Sequence, residues 1–385
     1  MFAERTSWNF APNRLSEALA RHRAAGRPLL DLTVSNPTSS GFAFDADAIL
    51  VALRNPEVRR YEPEPQGLEV ARRAVAAYYA SRGDAVAVQD IFLNASTSEA
   101  YSYIFRTLCN PGDEVLIPAP SYPLLSLLAD IQDIKLVRYA LIYDHGWQID
   151  FHILQQSITQ RTRAAVVVNP NNPTGHFVKP SEITRLNEVC RERKLALIAD
   201  EVFLDFALSE PTPLSFATSP DALTFAMSGL SKICGLPQMK LAWLVVSGPE
   251  ELQRQALKRL ELIADTYLSV STPVQLATPG FLELRRSFQT QLMSRVRENL
   301  AELDRQLEAH ASCRRLQVEA GWYAVLRVPA TRPDEELAIE LLERKQVYVH
   351  PGHFYDFPAD GFLVVSLIVE SQQFAEGIRR VLSAF

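Results

Sequence analysis

Short apolar runs alternate with helical periodicity through residues 69–246. The runs "EVLIPAP", "IKLVRYA", "AAVVVNP", "LALIADEV" and "ALTFAMSG" are rich in Val, Ile and Leu and show no polar alternation. Strands covered on both faces have this pattern, which predicts a mostly parallel sheet with helices on both sides. Between two of the runs, "SEITRLNEVCRERK" (181–194) predicts a crossover helix, with Ser181 as N-cap and basic residues in its last turn. "PEELQRQALKRLELIADTYL" predicts a long helix leaving this core. From residue 279 the character changes to a charged helix, "WYAVLRV", a helix near 335–345, and "GFLVVSLIV". The expected fold class is therefore α/β: a large domain over 41–278, a smaller α+β domain over 279–385, and residues 1–40 packing on the latter.

Composition narrows the function. At 385 residues, with 47% hydrophobic and 22% charged residues, the chain is an ordinary globular sequence. A net charge of −6 gives no general attraction to nucleic acid or anionic membrane, and points to a small-molecule partner. Four cysteines, Cys109, Cys190, Cys234 and Cys313, have neither metal-ligand nor disulfide spacing. That fits a reducing cytoplasm and no metal site. The start, "MFAERTSWNF", lacks the basic and apolar regions of a leader, and no run is long enough to span a bilayer.

Candidate chemistry gathers where the strands end. "NPNNPTG" (169–175) follows "AAVVV", "DEVF" (200–203) follows "LALIA", and "SGLSK" (228–232) follows "ALTFAM". Open α/β sheets bind ligands at the C-terminal edge of their strands. Two lysines, Lys232 and Lys240, punctuate the apolar stretch "MSGLSKICGLPQMKLAW". Desolvation favours the neutral amine of a lysine, which is a nucleophile. Each segment alone reads equally as a turn, a helix cap or a solvated lysine; their order at successive strand ends is what carries information.

In that order the three segments resemble the class I/II aminotransferases, the fold type I enzymes of pyridoxal 5'-phosphate. The resemblance spans roughly residues 32–384 and implies a homodimeric, cytoplasmic enzyme that exchanges an amino group between an amino acid and a 2-oxo acid. It implies that Lys232 carries the Schiff base to the cofactor, Asp200 faces the pyridine nitrogen and Asn172 meets the ring oxygen. Lys240 stands where the family usually has a phosphate-binding arginine. Ser96, Thr97 and Ser98, at a helix start where unpaired N–H groups bind anions, are further phosphate candidates, as is Ser231. Ser96 replaces the usual glycine, and Gly229 replaces a frequent serine, which leaves Ser228 as a substitute contact. Tyr122 resembles the ring that stacks on the cofactor, and Tyr61 the tyrosine that reaches a neighbouring subunit's phosphate. Phe203 stands where a tyrosine commonly donates to the ring oxygen. Lyases and decarboxylases on the same scaffold share these residues, and a non-catalytic amino-acid sensor is a third reading.

The substrate side departs further. Ser35 and Asn36 lie in a stretch, "DLTVSNPT", that resembles the early loop over the substrate, and His350, His353 and Tyr355 lie in "VHPGHFYDF", a later lining loop. A family arginine that grips the substrate carboxylate stands two residues before a serine on a late strand. Here "GFLVVSLIVES" gives Val364 before Ser366, and no arginine lies between Arg344 and Arg379. Either the carboxylate is held elsewhere, by His350, His353 or the Ser35–Asn36 loop, or the substrate is not an α-amino acid gripped in the usual way.

Overall fold

A computed structural model describes residues 1–210 and 213–385. Its centre is an eight-stranded mixed sheet. In spatial order the strands are Ile91–Asn94, Ala242–Ser247, Thr224–Gly229, Ala196–Asp200, Thr162–Val168, Glu114–Ala119, Lys135–Tyr143 and Trp147–Ile149. The middle strands pair in parallel, and antiparallel pairs close the two edges. All five runs singled out by their apolar pattern are strands of this sheet. Their lack of polar alternation follows from burial on both faces: Val166, Ile198, Phe225 and Leu244 belong to one apolar cluster, and Val167, Leu197, Ala226 and Val245 to the other.

The crossover helix is Pro180–Arg193, one residue ahead of the expected start. Pro180 takes the first helical position, where its missing N–H costs nothing, so Ser181 lies inside the helix rather than capping it. The Glu182 carboxylate instead accepts from the Lys179 N–H at 2.7 Å.

Beyond the sheet, helix Glu250–Tyr267 leads to a 36-residue helix, Thr272–Leu307, which runs through the boundary expected at 279. The remaining chain forms a four-stranded antiparallel sheet of Arg314–Arg315, Tyr323–Arg327, Phe362–Ser366 and His350–Pro351. Strand Leu30–Asp31 pairs with Val347–Tyr348, and helix Arg14–Ala24 packs on helix Asp334–Lys345. The first ten residues reach the other way, where the Trp8 indole donates to Asp130 at 3.0 Å.

Glycine fastens the two sheets. Gly175 has φ +68°, and a Cβ there would come within 2.5 Å of the Ala320 carbonyl oxygen. The Gly175 carbonyl accepts from the N–H groups of both Glu319 and Ala320, so the "NPNNPTG" loop is tied to the segment entering strand Tyr323–Arg327.

Candidate active site

The loops after Asn94, Ala119, Val168, Asp200 and Gly229 all emerge at one edge of the large sheet, because those five strands point the same way. They enclose a cavity of about 210 Å³ whose lining includes Thr97, Ser98, Tyr122, Asn172, Asp200, Ser231 and Lys232. Seven residues scattered over 136 positions of sequence thus meet, as the sheet-edge argument expects.

Asp200 ends strand Ala196–Asp200. Its Oδ1 accepts from the Val202 N–H and its Oδ2 from the Tyr101 hydroxyl, each at 3.2 Å. Burial raises the carboxyl to about 6, against the pull of those two donors and of the Lys232 charge. Lys232, on the short helix Leu230–Ile233, has its Nζ 4.9 Å from the Trp322 ring centre and 5.6 Å from that of Phe203. Burial pushes its ammonium down to about 8, although Asp200 opposes the shift. At neutral pH about one molecule in ten then carries the free amine, far more than for an ordinary lysine.

Asn172 is held by a loop whose neighbouring asparagines are hydrogen-bonded, although the Asn171 Oδ1 also has no partner. The Asn169 carbonyl oxygen of the side chain accepts from Val178, and the Asn171 amide donates to Pro120 and Thr174. The buried Asn172 Oδ1 has no partner. Its amide is free to turn either its oxygen or its nitrogen to a ligand.

At the other end, Thr97 and Ser98 open helix Thr97–Leu108 and line the cavity. Ser96 is not brought in: its hydroxyl accepts from the Glu99 N–H and caps the helix. Lys240 is exposed and outside the lining, though Ala242, two residues on, pairs with Asn94 and Gly229 at the same edge. Ser228 does not replace the missing serine, since its buried hydroxyl points to the Glu201 carbonyl at 3.4 Å. Gly229 is dictated by packing: a Cβ there would lie 2.9 Å from the Ala242 Cα.

Ser35 and Tyr323 come from the N-terminal segment and the small sheet. Both line the cavity, and burial pushes the Tyr323 phenol up to about 12, with the nearby Ser35 hydroxyl opposing the shift. The other substrate candidates stay outside this cavity. Asn36 turns inward on its own loop, accepting from the Thr38 N–H and hydroxyl. His353 is exposed, and the buried Tyr355 bonds His350 at 3.1 Å. Val364 is buried, with His350 and Val325 as its strand neighbours. Tyr61 is 77% exposed and lines a different hollow, beside Leu268 and Ser269.

Tyr101, Val168, Val202 and Tyr323 line the cavity without having been expected there. Tyr101 had a signal: it stands four residues after Thr97 on one helix face.

Asn172, Asp200 and Lys232 thus stand in order on adjacent strand ends. Residues 27–381 match the family described as aminotransferase class I and II. The chain belongs to that family. It is an enzyme of amino-group transfer. Over 354 residues this aminotransferase is 28% identical to the glutamate-pyruvate aminotransferase AlaA of Escherichia coli, covering 89% of this chain and 87% of that one. It is 29% identical over 379 residues to the alanine aminotransferase of Mycobacterium tuberculosis, covering 94% and 86%. The solved alanine aminotransferase of Pyrococcus furiosus shares its fold, with a TM-score of 0.89 at 22% identity over 100% of this chain and 99% of that one. The fold of this aminotransferase is therefore that of the type I family, a mostly parallel large sheet beside a small antiparallel one.

Proposed function

We propose that this aminotransferase binds pyridoxal 5'-phosphate covalently at Lys232 and exchanges amino groups between an amino acid and a 2-oxo acid. The observation that carries the reading is the partnerless Asn172 amide oxygen in one cavity with a carboxylate raised by burial and a lysine lowered by it. A group with an aldehyde, a ring hydroxyl and a basic ring nitrogen satisfies all three. Bound there, pyridoxal 5'-phosphate supplies an electron-withdrawing ring and a carbonyl that condenses with amines.

The chain's own residues do the rest. Asp200, held by Tyr101 and Val202, pairs with the ring nitrogen and keeps its proton in place. Asn172 meets the ring oxygen, accepting at Oδ1 from the ring hydroxyl or turning its amide nitrogen to donate once that oxygen is ionised, and Tyr122 and Val202 hold the ring from either side. Thr97, Ser98 and Ser231, with the start of helix Thr97–Leu108, receive the phosphate. Lys240 adds a solvent-screened charge at that edge. Once an amine substrate displaces Lys232, the free amine moves the proton at the substrate carbon.

We further propose a cytoplasmic homodimer in which the exposed Tyr61, next to the rigid "EPEP" segment, reaches the partner's phosphate end. Four free cysteines fit a reducing compartment, and no helix among the described residues is long and apolar enough to cross a membrane.

Borohydride reduction followed by peptide mapping should place the cofactor on the peptide containing Lys232, and Lys232→Ala should lose transamination entirely. Label on Lys240 would refute the assignment. Pyridoxamine phosphate should accumulate with amino donor alone, which a lyase or decarboxylase would not produce. The relatives' names put alanine and glutamate first in the donor panel and pyruvate first among acceptors.

A further inference from the structure

Among the described residues, neither hollow that reaches Lys232 contains an arginine or a second lysine. Around the charged pair Asp200 and Lys232, the lining of the main cavity that remains beyond the cofactor candidates includes Ser35, Leu125, Leu128, Phe203 and Tyr323, none of them charged. The second hollow adds Asn36, Thr38 and Gln238, again neutral and polar. Lys232 cannot serve as a standing counter-charge, because it is spent first as covalent anchor and then as base. Asp200 adds a negative charge to the same space.

An ionised carboxylate moved into such a site gives up its water and meets no cation in return. Hydroxyl and amide donors return part of that loss to a carboxylate, but all of it to an alcohol or carboxamide, whose desolvation costs less. The strand position that would supply a cation is closed: Val364 is buried beside Val325 and His350. Burial also lowers His350, which keeps it neutral, and the charged group facing it is Asp31.

Resting on the cofactor and amino-transfer parts of the reading above, and replacing its amino-acid donor, we infer that the preferred donor is an amino compound whose α-carbon bears a neutral hydrogen-bonding group, hydroxymethyl or carboxamide, in place of a carboxylate. Its neutral group bonds the Ser35–Tyr323 hydroxyls while its side chain lies against Leu125 and Leu128. The exchange balances without an outside oxidant. At the donor, the C–H and C–N bonds break and a C=O bond forms. At the acceptor, a 2-oxo acid held more weakly, the C=O bond becomes C–H and C–N, and both electrons pass to that carbon.

The test uses enzyme loaded with pyridoxal phosphate, confirmed by reductive labelling of Lys232; absent label, the cofactor reading has failed and not this one. Pyridoxamine phosphate formation is compared within matched sets such as phenylalanine, phenylalaninol and phenylalaninamide, or leucine, leucinol and leucinamide. The alcohol or amide should exceed the acid in kcat/KM at least tenfold. Calorimetry with an unreactive pair, 3-phenylpropanoate and 3-phenylpropanamide, should show the amide binding tighter. Acids used or bound as well as or better than their neutral partners overturn the inference, as does an amide that fails to bind, and an acid preference would mean that a cation enters from the partner subunit. Val364→Arg should move the acid-to-alcohol ratio at least tenfold toward the acid. Should that variant not fold, the wild-type comparison decides alone.

Discussion

Across the Lys232 cavity, the wall formed by the large sheet carries charge and the wall facing it carries none. The first holds Asp200 and Lys232 on neighbouring strand ends, each with an acid–base balance moved by burial. The second offers the hydroxyls of Ser35 and Tyr323, from the N-terminal segment and the small sheet. The difference shows that cofactor chemistry and substrate recognition are separable in this fold. One depends on a few charges fixed to a rigid sheet, and the other on whatever the second sheet presents across the gap.

The largest expected effect tests the charged wall. Asp200→Asn should lower turnover by two or more orders of magnitude, since the ring nitrogen loses its counter-charge. The same change should stabilise the cofactor-free protein at pH 7 to 8. Burial raises this carboxyl from 3.8 to about 6 in the folded chain, so above pH 6 folding must carry a buried charge. Two pKa units correspond to about 3 kcal/mol. The gain should shrink as pH falls from 6 toward 4, where folded and unfolded forms both hold the proton. Thermal melts of both proteins across pH 4 to 8 would check this, and a constant difference would contradict it.

A smaller effect should come from the border between the walls. Phe203 lines the cavity and packs its ring against Trp322 at 5.2 Å. Phe203→Tyr adds a donor toward the ring oxygen, which a charged acceptor rewards with about 1.5–3 kcal/mol. The pH midpoint of the bound cofactor's absorbance should fall by about 1–2 units. No shift, or a rise, would mean that another group already donates there.

The smallest effect concerns Lys240. Exposed and outside the lining, it acts through water. Lys240→Ala should weaken cofactor affinity by tenfold or less, and added salt should erase much of the difference. A larger, salt-insensitive loss in a fluorescence titration would place its ammonium on the phosphate.

The charged wall was legible in the sequence because Asn172, Asp200 and Lys232 sit where apolar runs stop, and a parallel sheet lines up its strand ends. Val202 was not, since a valine after an aspartate looks like core, and Tyr101 showed only through its place one helical turn after Thr97. Tyr323 was hidden more deeply: its strand partner is Ser366, whose hydroxyl bonds the Val34 carbonyl 332 positions away. No local pattern encodes that meeting. His353 illustrates the converse, a residue near the right loop in sequence that faces solvent in space. Ser96 stood at a helix start as expected, but the Ser-x-x-Glu spacing to Glu99 commits its hydroxyl to the backbone.

The pairing of Gly229 with Ala242 has a consequence for redesign. A side chain at 229 would meet not only the Ala242 methyl but the Ala242 Cα, both at 2.9 Å, and the Leu241 carbonyl oxygen at 3.1 Å. Trimming Ala242 to glycine removes the methyl and leaves the backbone in the way. Placing a serine at 229 therefore takes more than one substitution, or even two. It requires a shift of a strand of the central sheet, so an added anion contact at this edge is more readily engineered on another loop.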